Sequence, residues 1–438
     1  MRGVDGILTA LVLVGVLTGA VLAAGLRLRR AEPSERGIVI GRTPGRRARE
    51  VALSEDEMQH GVLLGGSPGA GKTTLLVAMA TGLPCGVGLL VVDLKGDRSL
   101  ADRLGIPADR VFGLADRGTA TWNPFDFGSP ASWRDILMAT EEWSEPHFRR
   151  AAARFLGALL GALHVARDAV RLEEVVAMLE RPSMAAGLLR AVDGRPRDAL
   201  QRALGAVGAD PTLRSGVVGL GNRLALLADS PATAGRLGAP GGIDLAEILR
   251  GGRALFSLPA AEYPDEAPAI AAAAIQALGA AGQSLARGDE NLRAVLVIDE
   301  APRLGGEQLR EAVAIGRGAG IGATIAVQDF ADLDYIAKGT REAVETGANT
   351  WIVMRQVASA GQIAEALGTR QTTKSTVQHD RNRLLFTETG LESVREVEEF
   401  RVSPNVIRDL GRGEAIVWRR LRGRIDRVVT RRSKSMWE

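Results

Sequence analysis

Residues 61–74 of the chain read Gly-Val-Leu-Leu-Gly-Gly-Ser-Pro-Gly-Ala-Gly-Lys-Thr-Thr, a short apolar run followed by a glycine-rich loop and a lysine. The apolar run at 61–65 predicts a buried strand, and the residues from about Lys72 onward predict a helix. The glycines between them permit a backbone that turns several N–H groups inward, and the helix N-terminus adds partial positive charge. Such a loop between a strand and a helix is typical of a P-loop, which binds phosphate groups.

The P-loop pattern assigns a role to each of its residues. We expect Lys72 to reach the β- and γ-phosphates of a nucleotide and the Thr73 hydroxyl to bind Mg²⁺. ATP and Mg²⁺ are therefore the predicted cofactors. The predicted nucleotide-binding residues are Gly66, Ser67, Pro68, Gly69, Ala70, Gly71, Lys72, Thr73 and Thr74.

A second apolar run ends in two acids. Residues 294–298 are followed directly by Asp299 and Glu300. An acidic pair at a strand end is commonplace by itself, but beside a P-loop it predicts Mg²⁺-dependent hydrolysis. We expect Asp299, together with Thr73, to hold the metal ion, and Glu300 to polarise the attacking water.

Apolar runs alternate with helical patterns along the chain and predict an α/β fold with a mostly parallel sheet. The expected strands are residues 61–65, 87–93, 111–114, 254–258, 294–299, 322–327, 350–354 and 415–419. From Ser132 to about Leu237 amphipathic segments follow one another without a strand pattern, which predicts an all-helical insertion.

These patterns divide the 438 residues into six parts. They are a transmembrane anchor (1–30), a linker with short strands (31–58), a first part of the nucleotide-binding domain (59–131), the helical insertion (132–240), a second part of the nucleotide-binding domain (241–420) and a basic tail (421–438). A hydrophobic content of 46% predicts a folded chain, and the net charge of +3 does not by itself indicate a polyanionic partner. The single cysteine, Cys85, excludes an internal disulfide and the usual cysteine-rich zinc sites.

The N-terminal apolar stretch predicts a membrane-spanning helix. Residues 6–26 carry no charge, and a run of about 20 apolar residues crosses the hydrocarbon core. Arginines 27, 29, 30 and 36 follow, so the positive-inside rule places the N-terminus outside and the ATPase domain in the cytoplasm. The composition is typical of a GC-rich bacterial genome, so the expected location is the bacterial inner membrane, crossed once. A cleaved signal peptide is the alternative.

Five shorter motifs occur in order along the predicted domain. They are Asp-Leu-Lys-Gly-Asp at 93–97, Trp-Asn-Pro-Phe at 122–125, Arg-Gly-Ala-Gly-Ile-Gly at 317–322, Val-Gln at 327–328 and Leu-Gly-Arg-Gly-Glu-Ala-Ile-Val at 410–417. In this order they resemble the coupling proteins of conjugation and type IV secretion (TraD/TraG-like), within the FtsK- and HerA-like DNA-translocating P-loop ATPases. The resemblance runs through most of residues 60–420 and implies a RecA-like P-loop domain and a homo-hexamer.

The resemblance also implies roles for single residues. Arg317 would be an arginine finger that reaches the γ-phosphate of a neighbouring subunit, and Gln328 would sense the γ-phosphate. The alternatives are a solvated charge at a helix end for Arg317 and a plain polar strand end for Gln328. Lys95 is expected to contact phosphate or DNA, unless it is an ordinary surface lysine.

A DNA translocase needs repeated contacts to phosphates. The candidates are Arg149, Arg150 and Arg154 in the insertion, residues 338–341, residues 370–375, and the basic residues of the tail. We favour 370–375 as a pore loop, with an exposed linker as the alternative. The tail, from Arg419 to Lys434, is expected to hold DNA or anionic lipid, or else to be a solvated strand with a frayed end.

Together these features predict a membrane-anchored, ATP-driven coupling protein that delivers DNA or a DNA–protein complex to a conjugative or type IV secretion channel. The resemblance implies a relaxase and secretion-channel proteins as partners. Family members usually have two membrane spans, whereas this sequence predicts one. Two other functions remain open, namely a FtsK/HerA-like DNA pump without a secretion channel and a receptor for effector proteins of a type IV system.

Overall fold

The computed structural model describes residues 37–143, 145–288, 290–379 and 388–430. The strands are β1 (Ile38–Arg42), β2 (Glu50–Leu53), β3 (Val62–Gly65), β4 (Gly88–Asp93), β5 (Val111–Gly113), β6 (Arg253–Ser257), β7 (Ala294–Asp299), β8 (Ile321–Val327), β9 (Thr350–Val353), β10 (Thr369–His379), β11 (Glu388–Phe400), β12 (Glu414–Arg419) and β13 (Arg424–Thr430). The helices are α1 (Glu55–Gln59), α2 (Lys72–Thr81), α3 (Leu100–Leu104), α4 (Pro130–Met138), α5 (Pro146–Ala166), α6 (Leu172–Glu180), α7 (Gly194–Ala209), α8 (Pro211–Ala228), α9 (Leu245–Leu249), α10 (Glu266–Ala286), α11 (Gly306–Ala319), α12 (Thr340–Gly347), α13 (Ala360–Leu367) and α14 (Pro404–Arg408).

An eleven-stranded sheet runs through the centre in the order β2-β1-β13-β12-β9-β3-β8-β7-β4-β6-β5. The seven strands from β9 to β5 are parallel to one another. The other four add antiparallel pairs at the β9 side. The predicted α/β fold with a mostly parallel sheet is therefore confirmed.

The middle of the sheet is covered on both faces. Every residue of β3, β4, β7 and β8 is buried, and two separate apolar clusters pack on the two sides. Strands enclosed in this way need continuous apolar runs, which is why the sequence predicted them. Because the carboxyl ends of parallel strands meet at one edge, the residues that follow β3, β4, β7 and β8 come together there.

Helices occupy the segment between β5 and β6. The described residues of this segment contain no strand, and only an isolated bridge joins Trp122 to Leu237. In α5 the buried side chains Phe155, Leu159 and Leu163 recur every four residues and form one apolar face. That face belongs to the same buried cluster as the apolar residues of α6 and α8.

The structure adds detail to two of the predicted parts. The described part of the linker contains β1, β2 and α1, and its two strands lie at one edge of the sheet. For the basic tail from residue 421, a solvated strand was one of the alternatives, and Arg424–Thr430 is strand β13, which pairs with β12 and β1. Its two arginines, Arg424 and Arg427, are exposed and form ion pairs, so their charge does not prevent a strand from forming.

Residues 370–375 also differ from their expected conformation. They lie in β10, which pairs with β11 as a two-stranded sheet separate from the central one. The register places Thr369 opposite Phe400. The sequence did not predict this hairpin because its strands are largely polar and lack the alternation of a half-buried strand.

The predicted membrane span at residues 6–26 lies outside the described residues. Within the described part of the chain, α10 is the one helix long and apolar enough to cross a membrane by length and composition. Of its tested window, 72% is buried inside the protein, as in the core helix of a globular domain.

Candidate functional site

The P-loop joins β3 to α2 at the carboxyl edge of the sheet. Gly69 and Gly71 have φ angles of +77° and +108°, which side chains other than glycine rarely adopt. Gly71 is the N-cap residue of α2, and it has no side chain that could accept a hydrogen bond from the first N–H groups of the helix. These open N–H groups and the helix dipole make a site for an anion such as phosphate.

The lysine of the P-loop lies against the predicted acidic pair. Lys72 Nζ is 3.9 Å from Asp299 Oδ1 and 3.9 Å from Glu300 Oε2. Only 10% of the Lys72 side chain and 2% of the Asp299 side chain are exposed. Glu300 has a φ of +60°, which is rare for a residue with a side chain, and its N–H donates to Asp299 Oδ1 at 3.0 Å. The sharp turn after β7 thus holds both acids beside the lysine.

Gln328 joins the same group of side chains. It follows β8, which lies between β3 and β7 in the sheet. Its Nε2 donates a 2.5 Å hydrogen bond to Glu300 Oε1. The structure therefore brings together four of the five residues that were predicted to be catalytic, and it orients the Glu300 carboxylate from two sides.

Asp93 is a part of this site that the sequence analysis quoted only as a motif residue. It ends β4 directly opposite Asp299 of β7 and is fully buried. Its carboxylate accepts hydrogen bonds from the N–H groups of Lys95, Gly96 and Asp97 at 3.0, 3.0 and 2.7 Å. The Asp-x-Lys-Gly-acid motif is thus a turn closed by its first aspartate. Its position at the end of a buried strand beside the acidic pair was the signal that could have identified it.

Burial and like charge act on both aspartates. Burial raises the pKa of Asp93 to about 6, and the nearby Asp299 carboxylate adds to this effect. Burial also raises the pKa of Asp299, against the pull of the Lys72 ammonium. A cation between phosphate and Asp299 would favour its charged form. The carboxylate of Asp299 and the hydroxyl of Thr73 are oxygen donors of the kind Mg²⁺ takes along with substrate phosphates.

Arg317 stands apart from this group. It lies in α11, four residues before β8 begins at Ile321, and Ile321 pairs with Ala294 at the start of β7. The acids follow the other end of β7. The backbone therefore places Arg317 at the edge of the sheet opposite this chain's own P-loop.

The predicted DNA contacts have mixed surroundings. Arg149 pairs with Glu307 at 3.3 Å, whereas Arg150 and Arg154 are exposed on α5 and have no hydrogen bond or ion pair with another described residue. Lys95 is exposed, and its positive charge is close enough to Asp299 to lower the pKa of the Asp299 carboxyl.

Most of the basic residues around β12 and β13 have partners within the protein, which agrees with the strand alternative for this segment. Arg419 is buried and pairs with Glu57 at 3.0 Å and Asp426 at 2.6 Å. The guanidinium of Arg420 lies over the rings of Trp351 and Trp418 at 5.7 and 5.5 Å. Further pairs join Arg422 to Glu57, Arg424 to Asp426 and Arg427 to Glu414. Residues 431–438 lie outside the described part of the chain.

Comparisons with known proteins give one family model that matches part of the sequence and several solved structures with a similar fold. Residues 293–410 match the family model described as the TraM recognition site of TraD and TraG. The fold is similar to the bacterial conjugative coupling protein TrwBdeltaN70 in its unbound monoclinic form, with a TM-score of 0.64 and 16% identity over 94% of this chain and 92% of that one. The plasmid coupling protein TrwB in complex with ADP and Mg²⁺ has a TM-score of 0.63 and 17% identity over 88% of each chain.

A third structure is more distant. VirB4 of Thermoanaerobacter pseudethanolicus has a TM-score of 0.50 and 13% identity over 92% of this chain and 98% of that one. No curated protein matches the sequence. The solved structures therefore establish the fold, and the family model adds a sequence match over residues 293–410. The chain has the fold of the conjugative coupling proteins, and the family match confirms its resemblance to the TraD/TraG-like coupling proteins.

Proposed function

We propose that this chain is a Mg²⁺-dependent ATP hydrolase that acts as a membrane-anchored coupling protein. It would deliver DNA or a DNA–protein complex to a conjugative or type IV secretion channel. The observation that carries the proposal is the group formed by Lys72, Asp299, Glu300 and Gln328 beside the P-loop. TrwB, whose fold is similar, has been solved with ADP and Mg²⁺.

Each residue of the site has a separate role in ATP binding and hydrolysis. The N–H groups of Gly69, Gly71 and the start of α2 bind the phosphates, and Lys72 exchanges its contacts with the acids for phosphate oxygens. Thr73 and Asp299 would hold Mg²⁺, which would neutralise charge on the phosphates. Glu300 takes a proton from the attacking water, and the hydrogen bond from Gln328 holds its carboxylate in place.

We further propose a homo-hexamer in which Arg317 acts on a neighbouring subunit. Its position at the sheet edge opposite the chain's own P-loop supports action in trans. A guanidinium suits the role because it stays charged and binds phosphate oxygens through two N–H groups. Loss of activity in Arg317→Ala, restored by mixing with a Lys72→Ala variant that keeps its own arginine, would test this.

The proposed substrate and partners rest on separate observations. Arg150 and Arg154 are exposed on the helical insertion and are available for phosphate contacts. The matched family model is named for a TraM recognition site, so we propose that residues 293–410 contribute to a site for a protein partner. A relaxase and secretion-channel proteins would complete the system, and the apolar N-terminus would anchor the ring in the inner membrane.

The test is ATP hydrolysis by the full-length protein with and without DNA. The proposal expects turnover that requires Mg²⁺ and rises when DNA is added, with a response that weakens as salt increases. Hydrolysis that ignores DNA but responds to a secreted protein would favour a protein receptor. Absence of hydrolysis in all conditions would refute the enzyme assignment.

A further inference from the structure

The P-loop is attached to two other segments on the side away from the acidic pair. The N–H and Oγ of Ser67 both donate to the carbonyl oxygen of Arg355, just after β9, at 2.9 Å. The carbonyl oxygen of Ala70 accepts from the N–H of Gly413, just before β12, at 2.8 Å. Each attachment thus brings an arginine backbone, that of Arg355 or that of Arg412, next to the loop.

The segment that carries Arg412 is held firmly. Gly413 has a φ of +78°, and its carbonyl oxygen accepts from the N–H and Oγ1 of Thr430 at 2.7 and 2.9 Å. The Glu414 carboxylate accepts from the N–H of Gly411 at 2.9 Å and pairs with Arg427 at 3.1 Å. These bonds close the turn on both sides of Arg412 and fix its position relative to the P-loop.

Neither the Arg355 nor the Arg412 side chain has a partner among the described residues. Both are exposed, and neither makes a hydrogen bond or ion pair with another described residue. Nearby Arg419, Arg420 and Arg427, by contrast, have partners in the same sheet. Two exposed arginines without a partner among the described residues therefore belong to the backbone segments that contact the phosphate-binding loop.

The strand order gives the direction in which a nucleotide would extend. Lys72 and the acids mark the γ-phosphate end, on the β8 and β7 side of β3. A triphosphate wrapped by the loop must therefore carry its α-phosphate and nucleoside towards β9 and β12. Neighbouring strands are about 5 Å apart. Arg355 follows β9, about 5 Å from β3, and Arg412 precedes the antiparallel β12, about 10 Å from β3.

We propose that Arg355 and Arg412 bind the nucleoside end of the nucleotide, the part that the P-loop does not hold. A guanidinium can stack on a purine base through its planar face. This inference rests on the proposed ATP-binding function and adds two ligands to its site. They are nucleotide-positioning residues and stand apart from the hydrolytic group at Glu300.

The experiment compares the affinity of full-length variants for two probes, MgATP and inorganic tripolyphosphate with Mg²⁺. The variants are Arg355→Ala, Arg412→Ala and the double variant, with Arg408→Ala as a matched control because it is exposed on α14 four residues before Arg412. Calorimetry gives the dissociation constants, and thermal unfolding checks that each variant is folded.

Each single variant is expected to bind MgATP about 10-fold more weakly, a typical loss for one charge-assisted or stacking contact. Tripolyphosphate binding should change less than 2-fold, because it lacks a nucleoside. In steady-state hydrolysis KM should rise while kcat stays the same, since the contact is equal in ground and transition states. Arg412→Lys should recover only part of the affinity, because an ammonium does not stack as a guanidinium does.

Two results with the variants would overturn the inference while leaving the proposed function intact. One is unchanged MgATP affinity in the double variant, and the other is an equal loss for tripolyphosphate, which would indicate a general charge effect. If the wild-type protein bound tripolyphosphate but gained nothing from the nucleoside, the inference would also fail. Failure of the wild-type protein to bind either probe would refute the nucleotide site itself.

Discussion

Replacing Glu300 with glutamine removes the proposed base and changes little else. The Glu300 Oε1 atom accepts a 2.5 Å hydrogen bond from Gln328, and a glutamine amide oxygen can accept it in the same position. The left-handed backbone at this residue and the N–H bond to Asp299 do not depend on the charge. The variant should therefore fold normally and lose only the capacity to take a proton.

The loss of the general base determines the expected fall in kcat. General base catalysis contributes about 10²- to 10⁴-fold, which corresponds to about 3 to 5.5 kcal/mol of activation free energy. ATP binding should stay equal or become tighter, because Lys72 loses one of two anionic neighbours at 3.9 Å that compete with phosphate. The predicted signature is a loss of kcat without a loss of affinity.

Single-turnover hydrolysis of radiolabelled ATP, with protein in excess, separates the chemical step from binding. Glu307→Gln is the control, since Glu307 is an exposed glutamate in α11 that pairs only with Arg149 among the described residues. The control should keep wild-type rates. A fall of less than about 10-fold in Glu300→Gln would be too small for the loss of a general base and would refute the assignment.

Three further predictions concern the surroundings of the site. Asp93→Asn should flatten the pH dependence of stability. In the wild type the folded-state pKa of Asp93, about 6, lies above the ordinary value of 3.8. The free energy of unfolding should therefore rise by up to about 3 kcal/mol as the pH falls from 7 to below 4, and this gain is lost as the pH rises through 6. Chemical denaturation of both proteins across this range would show it, and parallel profiles would contradict it. Arg419→Ala should cost about 3 to 5 kcal/mol of unfolding free energy because Glu57 and Asp426 would stay buried without their partner; a loss under 1 kcal/mol would mean that solvent reaches the pair. Gln328→Ala should lower kcat and leave ATP affinity within about 2-fold, since its hydrogen bond acts on the base rather than on the phosphates, and an equal loss of affinity would speak against that role.

Features that depend on local sequence were predictable. All eight expected strands are present. Seven of them are parallel strands, and enclosed parallel strands require continuous apolar runs, as residues 294–299 illustrate. The P-loop and acidic pair were found because their residue types follow the ends of such strands. Their meeting at Lys72 follows from parallel strands sharing one carboxyl edge.

Features that depend on long-range pairing were not predictable. A strand was one of two alternatives for the basic tail, and the sequence could not decide between them because Arg427 finds its partner Glu414 in β12 only after folding. The β10–β11 hairpin is held by its own ladder, and the polar strands gave no periodic signal. Arg355 and Arg412 belong to no motif for nucleotide binding, and only hydrogen bonds from Ser67 and to Ala70 bring their backbones to the P-loop.

The central claim is that the P-loop of this chain hydrolyses ATP to drive work on DNA. The most direct measurement is steady-state phosphate release by full-length protein and Lys72→Ala, each with and without DNA, at fixed Mg²⁺. The account predicts hydrolysis by the wild type that DNA accelerates, and none by Lys72→Ala in either condition, because the variant loses its contact to the β- and γ-phosphates. Equal phosphate release by the two purified proteins would contradict it.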